Sequence, residues 1–143
     1  MRHWLMKSEP DVYAWSKLVA DGIGHWDGVR NHQAAANLRS MQVGDRAFFY
    51  HSNIGKEIVG TMEIVKTWHP DPTDATGKWG MVDVRPLHAA KTPVTLAQIK
   101  TDDALAGMAL LRQSRLSVQP VAAAEWKRLC KRSEEHTSEL QSR

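Results

Sequence analysis

Arg46-Ala47-Phe48-Phe49-Tyr50-His51 is the stretch of sequence on which the fold prediction depends. Three consecutive aromatic residues follow the turn signal Val43-Gly44-Asp45, and a second turn signal occupies residues 53–56. A short aromatic run bounded in this way is typical of a buried β-strand. The sequence therefore predicts a central strand over residues 46–51 that leads into a hairpin.

The partner strand of this hairpin is predicted over residues 57–68. Apolar residues alternate with polar ones there, so we expect Ile58, Met62 and Ile64 to share one face of the sheet. Gly60 lies inside this run, and a glycine within a strand often marks a β-bulge.

Shorter elements surround the hairpin. Further strands are predicted at residues 4–6, 79–85 and 116–121, with a loop at residues 69–74. Helices are predicted at residues 14–19, at residues 32–39 with Asn31 as N-cap, after the Thr95–Gln98 capping box, and from Ala122 onward. Strands and helices do not alternate regularly. This mixture favours the α+β class, with a small closed or half-closed β-barrel and short flanking helices.

Length and composition restrict the class of protein. The 143 residues fit one domain, and the formal net charge is a mild +3 at pH 7. Cys130 is the single cysteine, which excludes an internal disulfide and a multi-cysteine zinc site. The sequence shows no signal peptide and no apolar run of membrane-span length. We therefore expect no membrane partner and an intracellular location, cytoplasmic for a bacterial-type chain and nuclear for a eukaryotic one.

The last twelve residues, 132–143, differ in character from the rest of the chain. Leu140 is the single apolar residue among them, and they show no hydrophobic period. Such a segment buries too little surface to offset its ordering entropy. It also resembles the in-frame translation of a sequencing adapter. We interpret residues 132–143 as a non-native tail, with a genuine disordered acidic tail as the alternative.

The motifs of common enzymes are absent from the sequence. It contains no Gly-rich phosphate loop, no nucleophile elbow, no HExxH and no CxxC. His69-Pro70-Asp71 offers two metal-ligand types in one loop, but the spacing implies no third ligand. We therefore predict no catalytic residue, no cofactor and no metal.

Binding chemistry is better represented. Trp26-Asp27-Gly28-Val29-Arg30-Asn31 places a stacking surface, a tight turn, a cation and an amide within six residues. Aromatic rings stack on bases, while Arg, Asn, Gln and Ser contact base edges and phosphates. Residues of compatible chemistry lie at or just beyond the ends of three other predicted elements. Such positions are where a rigid scaffold presents functional groups. The predicted ligand-binding residues are Lys7, Ser8, Trp26, Arg30, Asn31, Tyr50, His51, Ser52, Arg112, Gln113, Ser114 and Arg115.

Each of these sets also has a structural interpretation. Trp26 is equally compatible with a core position, and Asn31 with a helix cap. Tyr50 and His51 alternate on a strand, so one of them is expected to point inward. The sequence cannot show by itself that the four sets meet in space.

At these same residues the chain resembles the EVE domain family of the PUA-like superfamily. The motifs that carry the resemblance run in order from residue 3 to about residue 130, and they set the domain at residues 1–131. They are Trp4-Leu5-Met6-Lys7-Ser8-Glu9-Pro10, Trp26 to Asn31, Phe48-Phe49-Tyr50-His51-Ser52-Asn53, Val82-Asp83-Val84 and Arg112-Gln113-Ser114-Arg115-Leu116-Ser117-Val118-Gln119-Pro120.

The resemblance implies a PUA-like β-barrel and kinship with YTH domains, which hold a methylated adenine in an aromatic cage. It implies a non-enzymatic module that reads a modified base, a modified cytosine or a methylated adenine, in DNA or RNA. The roles it implies are cage walls from Trp26 and Tyr50, base-edge hydrogen bonds from Ser8, Asn31 and Ser52, and phosphate contacts from Lys7, Arg30, Arg112 and Arg115.

Three other functions stay open at the level of sequence. The first is a general RNA-binding PUA-like module that ignores modification. The second is an enzyme acting on nucleic acid with His51 or Asp27 as acid or base. The third is an aromatic cage for a methylated ammonium group, although arginines rather than carboxylates predominate near Trp26. The oligomeric state is also open.

Overall fold

A computed structural model describes the backbone of residues 1–141 and the side chains of residues 1–134. The strands within these residues are β1 (His3–Ser8), β2 (Gly24–His25), β3 (Arg46–His51), β4 (Glu57–Pro70), β5 (Gly80–Thr95) and β6 (Val118–Val121). The helices are α1 (Trp15–Asp21), α2 (His32–Ser40), α3 (Leu96–Lys100), α4 (Ala109–Arg112) and α5 (Ala123–Gln141), with a single 3-10 turn at Asp103–Leu105.

The six strands form one mixed sheet in the order β2-β5-β4-β3-β1-β6. β1 and β3 are parallel, whereas the other neighbouring pairs are antiparallel. The α+β class is confirmed, but the sheet has two edges and does not close into a barrel over residues 1–141. β2 has only two residues, and both pair with β5. β2 is therefore too short to reach β6, the strand at the opposite edge of the sheet.

A hydrophobic core lies on each face of the sheet. Consecutive residues of β1 and β3 alternate between the two, as strand geometry requires. The first core includes Trp4, Met6, Leu18, Trp26, Leu38, Phe49, Met62, Ile64 and Val84, and it takes in residues of α1 and α2. The second includes Leu5, Phe48, Tyr50, Ile58, Ile99, Leu105, Leu110 and Leu129, and it takes in residues of α3, α4 and α5.

A β-bulge in β4 decides which residues face which core. Phe49 pairs with Gly60, but the next residue, Tyr50, pairs with Ile58, so one residue of β4 between them has no partner on β3. The predicted irregularity at Gly60 is confirmed. The expected common face was wrong for Ile58, which joins the second core while Met62 joins the first. The bulge reverses the alternation because it inserts one extra residue.

The local signals at helix starts are confirmed. The Asn31 side chain accepts a hydrogen bond from the backbone N–H of Ala34 at 2.9 Å and begins α2. Thr95 and Gln98 form the predicted capping box at the start of α3.

Several strand boundaries differ from the predictions, and β2 was not predicted. β4 continues through Pro70, although we expected a loop from residue 69, and β5 continues to Thr95 rather than ending at residue 85. The two strands pair with each other along this length through several register shifts, which extend the ladder beyond the local signals. β6 begins at Val118, two residues later than expected.

The backbone of α5 is helical to Gln141 and therefore passes the boundary expected at residue 131. No Gly or Pro interrupts residues 123–143, and each residue added to an existing helix gains a backbone hydrogen bond. The non-native origin of residues 132–143 stays a prediction, and the side chains from residue 135 onward lie outside the described residues. Among the residues described, no helix combines the length and the apolar character that crossing a membrane requires.

Candidate functional site

A cavity of about 810 Å³ opens at the end of the sheet where the C-terminal ends of the parallel strands β1 and β3 lie side by side. Its volume lies within the range of about 300–1,000 Å³ that is common for small-molecule sites. Its walls come from the end of β1, the loop before α1, β2 with the loop that follows it, the turn after β3 and the loop before β6. The predicted residues among its lining are Lys7, Ser8, Trp26, Arg30, Ser52, Ser114 and Arg115.

Hydrogen bonds between these segments fix the cavity floor. The backbone N–H of Ser52 donates to the carbonyl of Ser8 at 3.0 Å, and that of Lys7 donates to the carbonyl of Ser117 at 2.8 Å. The Lys7 ammonium donates to the carbonyl of Ser114 at 2.7 Å. Burial lowers the pKa of Lys7 from its ordinary value. The turn after β3 and the loop before β6 are thus both tied to the end of β1.

Trp26 forms a wall of the cavity from a buried position. Only 6% of its surface is exposed, so it takes the core position that the sequence also allowed. Its ring packs edge-on against Phe49, with 5.3 Å between ring centroids, and against Tyr13 at 6.4 Å. Its backbone N–H donates to the carbonyl of Val82 at 2.9 Å. The part of Trp26 that reaches the cavity is therefore held rigidly by the first core.

The conformation of the loop after Trp26 depends on the carboxylate of Asp71, which lies in the loop between β4 and β5. Gly28 has a φ of +78°, a conformation that other residues adopt at a cost. Its backbone N–H donates to the Asp71 carboxylate at 2.8 Å. Asp71 also accepts hydrogen bonds from the backbone N–H and the hydroxyl of Thr73, at 2.7 and 2.6 Å.

Arg30 completes this network. Its guanidinium donates to Asp71 at 3.0 Å and to the Thr73 hydroxyl at 3.1 Å, while the Asp71 side chain is fully buried. Burial alone raises the pKa of Asp71, but the hydrogen bonds from Thr73, Gly28 and Arg30 outweigh it and lower the pKa to about 2. Arg30 therefore lines the cavity as the partner of a buried carboxylate.

Sequence reasoning missed several residues of the lining, among them Tyr13 and Asp27. Tyr13 contacts the Trp26 ring, and its hydroxyl donates to Asp21 at 3.3 Å. Burial, with the negative charge of Asp21, raises the pKa of Tyr13 to about 12. Asp27 is exposed and lies in the cavity lining. The Trp26–Asn31 motif contained Asp27, which was considered as an acid or base for an enzyme, whereas no local pattern marked Tyr13.

Two predicted residues on β3 do not line the cavity. Tyr50 was expected to form a second wall, but it is 3% exposed and belongs to the core on the opposite face of the sheet. Its neighbours Phe49 and His51 project to the other side, because successive residues of a strand alternate. His51 instead accepts a hydrogen bond from the first backbone N–H of α1, that of Trp15, at 3.1 Å. Burial lowers the pKa of His51.

The remaining predicted residues lie outside the cavity. Asn31 caps α2, and with Gln113 it lines a shallow depression of about 370 Å³ that also includes Ser114 and Arg115. Since Ser114 and Arg115 line both spaces, the depression adjoins the cavity. Arg112 lies apart from both and donates to the carbonyl of Gly107 at 2.9 Å.

Comparison with known proteins identifies the family of this chain. The sequence model of the EVE domain matches residues 2–132. The chain belongs to the EVE domain family. Human thymocyte nuclear protein 1 is 37% identical to this EVE domain over 158 residues, which cover 87% of the chain and 70% of the human protein.

Solved structures show the same architecture. An NMR structure of a protein from Rhodopseudomonas palustris matches this EVE domain with a TM-score of 0.89 and 53% identity, covering 94% of each chain. A crystal structure of human thymocyte nuclear protein 1 (THYN1) in complex with DNA containing 5-methylcytosine matches with a TM-score of 0.83 and 35% identity, covering 94% of this chain and 98% of the human one. A YTH domain from Zygosaccharomyces rouxii shares the fold alone, with a TM-score of 0.60 and 18% identity over 92% and 86% of the two chains.

Proposed function

We propose that this EVE domain binds nucleic acid and holds one modified base, extruded from its strand, in the cavity beside Trp26. The observation that carries the proposal is this cavity in a chain so similar to human THYN1, which was crystallised with DNA containing 5-methylcytosine. An extruded base leaves a stack and needs a pocket with aromatic and polar walls, which supply stacking and edge contacts in return.

The chemistry of the lining fits a cytosine ring. The exposed carboxylate of Asp27 is an acceptor, and carboxylates accept from the exocyclic amino group of cytosine. The Ser8 hydroxyl donates to the carbonyl of Tyr13 at 2.7 Å, which leaves its oxygen able to accept from a base. Trp26 and Tyr13 provide the apolar surface against which a 5-methyl group is buried. We therefore favour a modified cytosine over a methylated adenine.

The strand that carries the base is expected to follow the surface past Arg115. Arg115 is exposed and lies where the cavity meets the adjoining depression, so its guanidinium can neutralise a phosphate beside the extruded base. Asn31 and Gln113 in that depression offer amides to the same backbone. Phosphate contacts release counterions, so binding should weaken as salt rises.

We assign no chemical step to this cavity. His51, one candidate acid or base, already accepts a hydrogen bond from Trp15 and does not line the cavity. Asp27 is better placed, and its proposed role is recognition. A chain that binds chromosomal DNA or cellular RNA acts inside the cell, so the intracellular location belongs to the same proposal.

The test is an affinity panel measured by fluorescence anisotropy at low salt. Single- and double-stranded DNA and RNA of one sequence would carry cytosine, 5-methylcytosine, adenine or N6-methyladenine at one position. We expect 5-methylcytosine DNA to bind about fourfold more tightly than its unmodified counterpart, since burying one methyl group stabilises by about 0.8 kcal/mol. Mass spectrometry of the recovered oligonucleotides should show no product.

Equal affinity for modified and unmodified bases would contradict base reading. If structured RNA then bound best, the chain would act as a general RNA-binding module instead. Conversion of the modified base would contradict the absence of catalysis.

A further inference from the structure

Two histidines and one aspartate meet on three neighbouring strands next to the cavity. His25 lies on β2, Asp83 on β5 and His69 on β4. His25 Nδ1 is 2.8 Å from Asp83 Oδ1, and His69 Nε2 is 3.2 Å from the same oxygen. One ligand atom from each residue lies within 4.8 Å of the other two. The three side chains therefore converge on a volume the size of one ion.

The hydrogen bonds of His69 fix which of its nitrogens carries a proton. His69 Nδ1 lies 2.7 Å from the carbonyl oxygen of Thr67. A carbonyl only accepts, so Nδ1 is the donor. In the neutral ring, Nε2 then directs a lone pair at the Asp83 carboxylate, which is also an acceptor. Two acceptors at this distance repel each other unless a proton or a metal cation lies between them.

We propose that His25, His69 and Asp83 bind a Zn²⁺ ion. Imidazole nitrogens and a carboxylate oxygen are preferred zinc ligands, at about 2.0–2.2 Å from the metal. A zinc-binding histidine usually donates its other N–H to a carbonyl or carboxylate, as His69 does to Thr67. The His25 side chain is 61% exposed, so the fourth position of a tetrahedral ion faces solvent and takes water.

Sequence reasoning did not find this set because its members are far apart along the chain. The carboxylate nearest to His69 in sequence, Asp71, is bound to Gly28 and Arg30 instead. The third ligand arises only when β2 pairs with β5, which sets His25 opposite Asp83.

A bound ion would have a defined structural effect. His25 directly precedes Trp26, and β2 is held to the sheet by only two residue pairs. An ion joining His25 to His69 and Asp83 would tie β2 to both β4 and β5 behind the cavity wall. This inference rests on the geometry of the three side chains and does not depend on the proposed function.

The experiment uses the full chain without an affinity tag, freed of metal with a chelator. Zn²⁺ is titrated by isothermal calorimetry, and bound zinc is counted by elemental analysis after dialysis. The variants are His69→Gln, Asp83→Asn and the exposed His25→Gln, with circular dichroism to verify folding. His88→Gln is the matched control, because His88 is an exposed histidine on the same strand as Asp83.

We expect one Zn²⁺ per chain in the wild type and in His88→Gln. Affinity should fall at least tenfold in each folded variant of the three ligands, since loss of even a supporting residue around a metal costs about 10- to 100-fold. Because His25 is mostly exposed, His25→Gln should remain folded if the two more buried substitutions do not.

Three results would overturn the proposal. One is a wild-type zinc affinity no higher than that of His25→Gln, and another is an equal loss in His88→Gln. The third comes from ¹⁵N NMR of the imidazole rings, if His69 carries protons on both nitrogens and its resonances do not respond to Zn²⁺. In that case a second proton, rather than a metal, would join His69 to Asp83.

Discussion

The Asp71 carboxylate accepts a 2.8 Å hydrogen bond from the backbone N–H of Gly28. The same buried group also accepts from Arg30 and Thr73. One carboxylate on the loop after β4 thus sets the conformation of the loop after β2, which lines the cavity. The cavity wall consequently depends on a residue that does not line the cavity itself.

Replacing Asp71 should destabilise the fold. In Asp71→Asn the amide cannot accept all the hydrogen bonds that the carboxylate accepts, and a buried donor left unpaired costs about 1–3 kcal/mol. We expect a loss of that size in the free energy of unfolding, measured by urea denaturation. Asp11→Asn is the control, since Asp11 is exposed and its change should stay within about 0.5 kcal/mol. Equal stability of the two variants would show that the network is dispensable.

The contribution of Asp71 should depend on pH in a defined direction. Its pKa in the folded chain is about 2, below the ordinary value of 3.8. A lowered pKa stabilises the folded state above the ordinary value, and this stabilisation is lost as the pH falls towards the folded value. The difference in unfolding free energy between wild type and Asp71→Asn should be constant from pH 7 to about pH 5 and shrink between about pH 4 and 2. A difference that persists unchanged at pH 2 would contradict this.

The bulge in β4 should tolerate only glycine at position 60. A Cβ atom there would lie 2.5 Å from Cη2 of the Trp15 ring, which itself packs edge-on against Phe49 at 5.5 Å. We expect Gly60→Ala to lower the free energy of unfolding by about 1–3 kcal/mol through overpacking. In Gly107→Ala the new Cβ meets nothing within 4 Å, so chemical denaturation should show little loss there. Similar losses at both positions would argue against the contact with Trp15.

Two arginines of one predicted tract should behave differently in nucleic-acid binding. Arg115 lines the cavity and the adjoining depression, whereas Arg112 lies elsewhere and bonds to Gly107. Arg115→Gln should weaken binding to a 5-methylcytosine oligonucleotide and reduce the slope of log K against log salt by about 1, as for loss of one phosphate contact. Arg112→Gln should leave both unchanged. If Arg112→Gln weakened binding and Arg115→Gln did not, the nucleic acid would follow the Arg112 side of the α4 region instead.

Local signals accounted for much of the fold. The strand at residues 46–51, the Asn31 cap and the Thr95–Gln98 capping box depend on neighbouring residues, and the structure confirms them. The face occupied by Ile58 depends on where the bulge falls in the pairing of β3 with β4. Barrel closure likewise depends on how the edge strands are arranged, and local sequence patterns do not predict that arrangement.

Only part of the cavity lining could be predicted from the sequence. Ser8 and Ser52 could be chosen because each lies at the end of a strand or just beyond one, but their proximity depends on the parallel pairing of β1 with β3. Tyr50 was chosen beside them because a strand pattern does not say which of two neighbours faces a given side. Asp71 acts on Gly28 across 43 positions of sequence, a separation that leaves no periodic signal.

The most direct test of the central claim is an NMR measurement of contact between the modified base and the cavity wall. An oligonucleotide whose 5-methylcytosine carries a ¹³C-labelled methyl group would be added to the chain. We expect nuclear Overhauser effects from this methyl group to ring protons of Trp26 and Tyr13, together with an upfield methyl shift from the aromatic rings. If the complex forms but the methyl group contacts neither ring, or contacts the Trp126 side of the sheet instead, the base does not occupy this cavity.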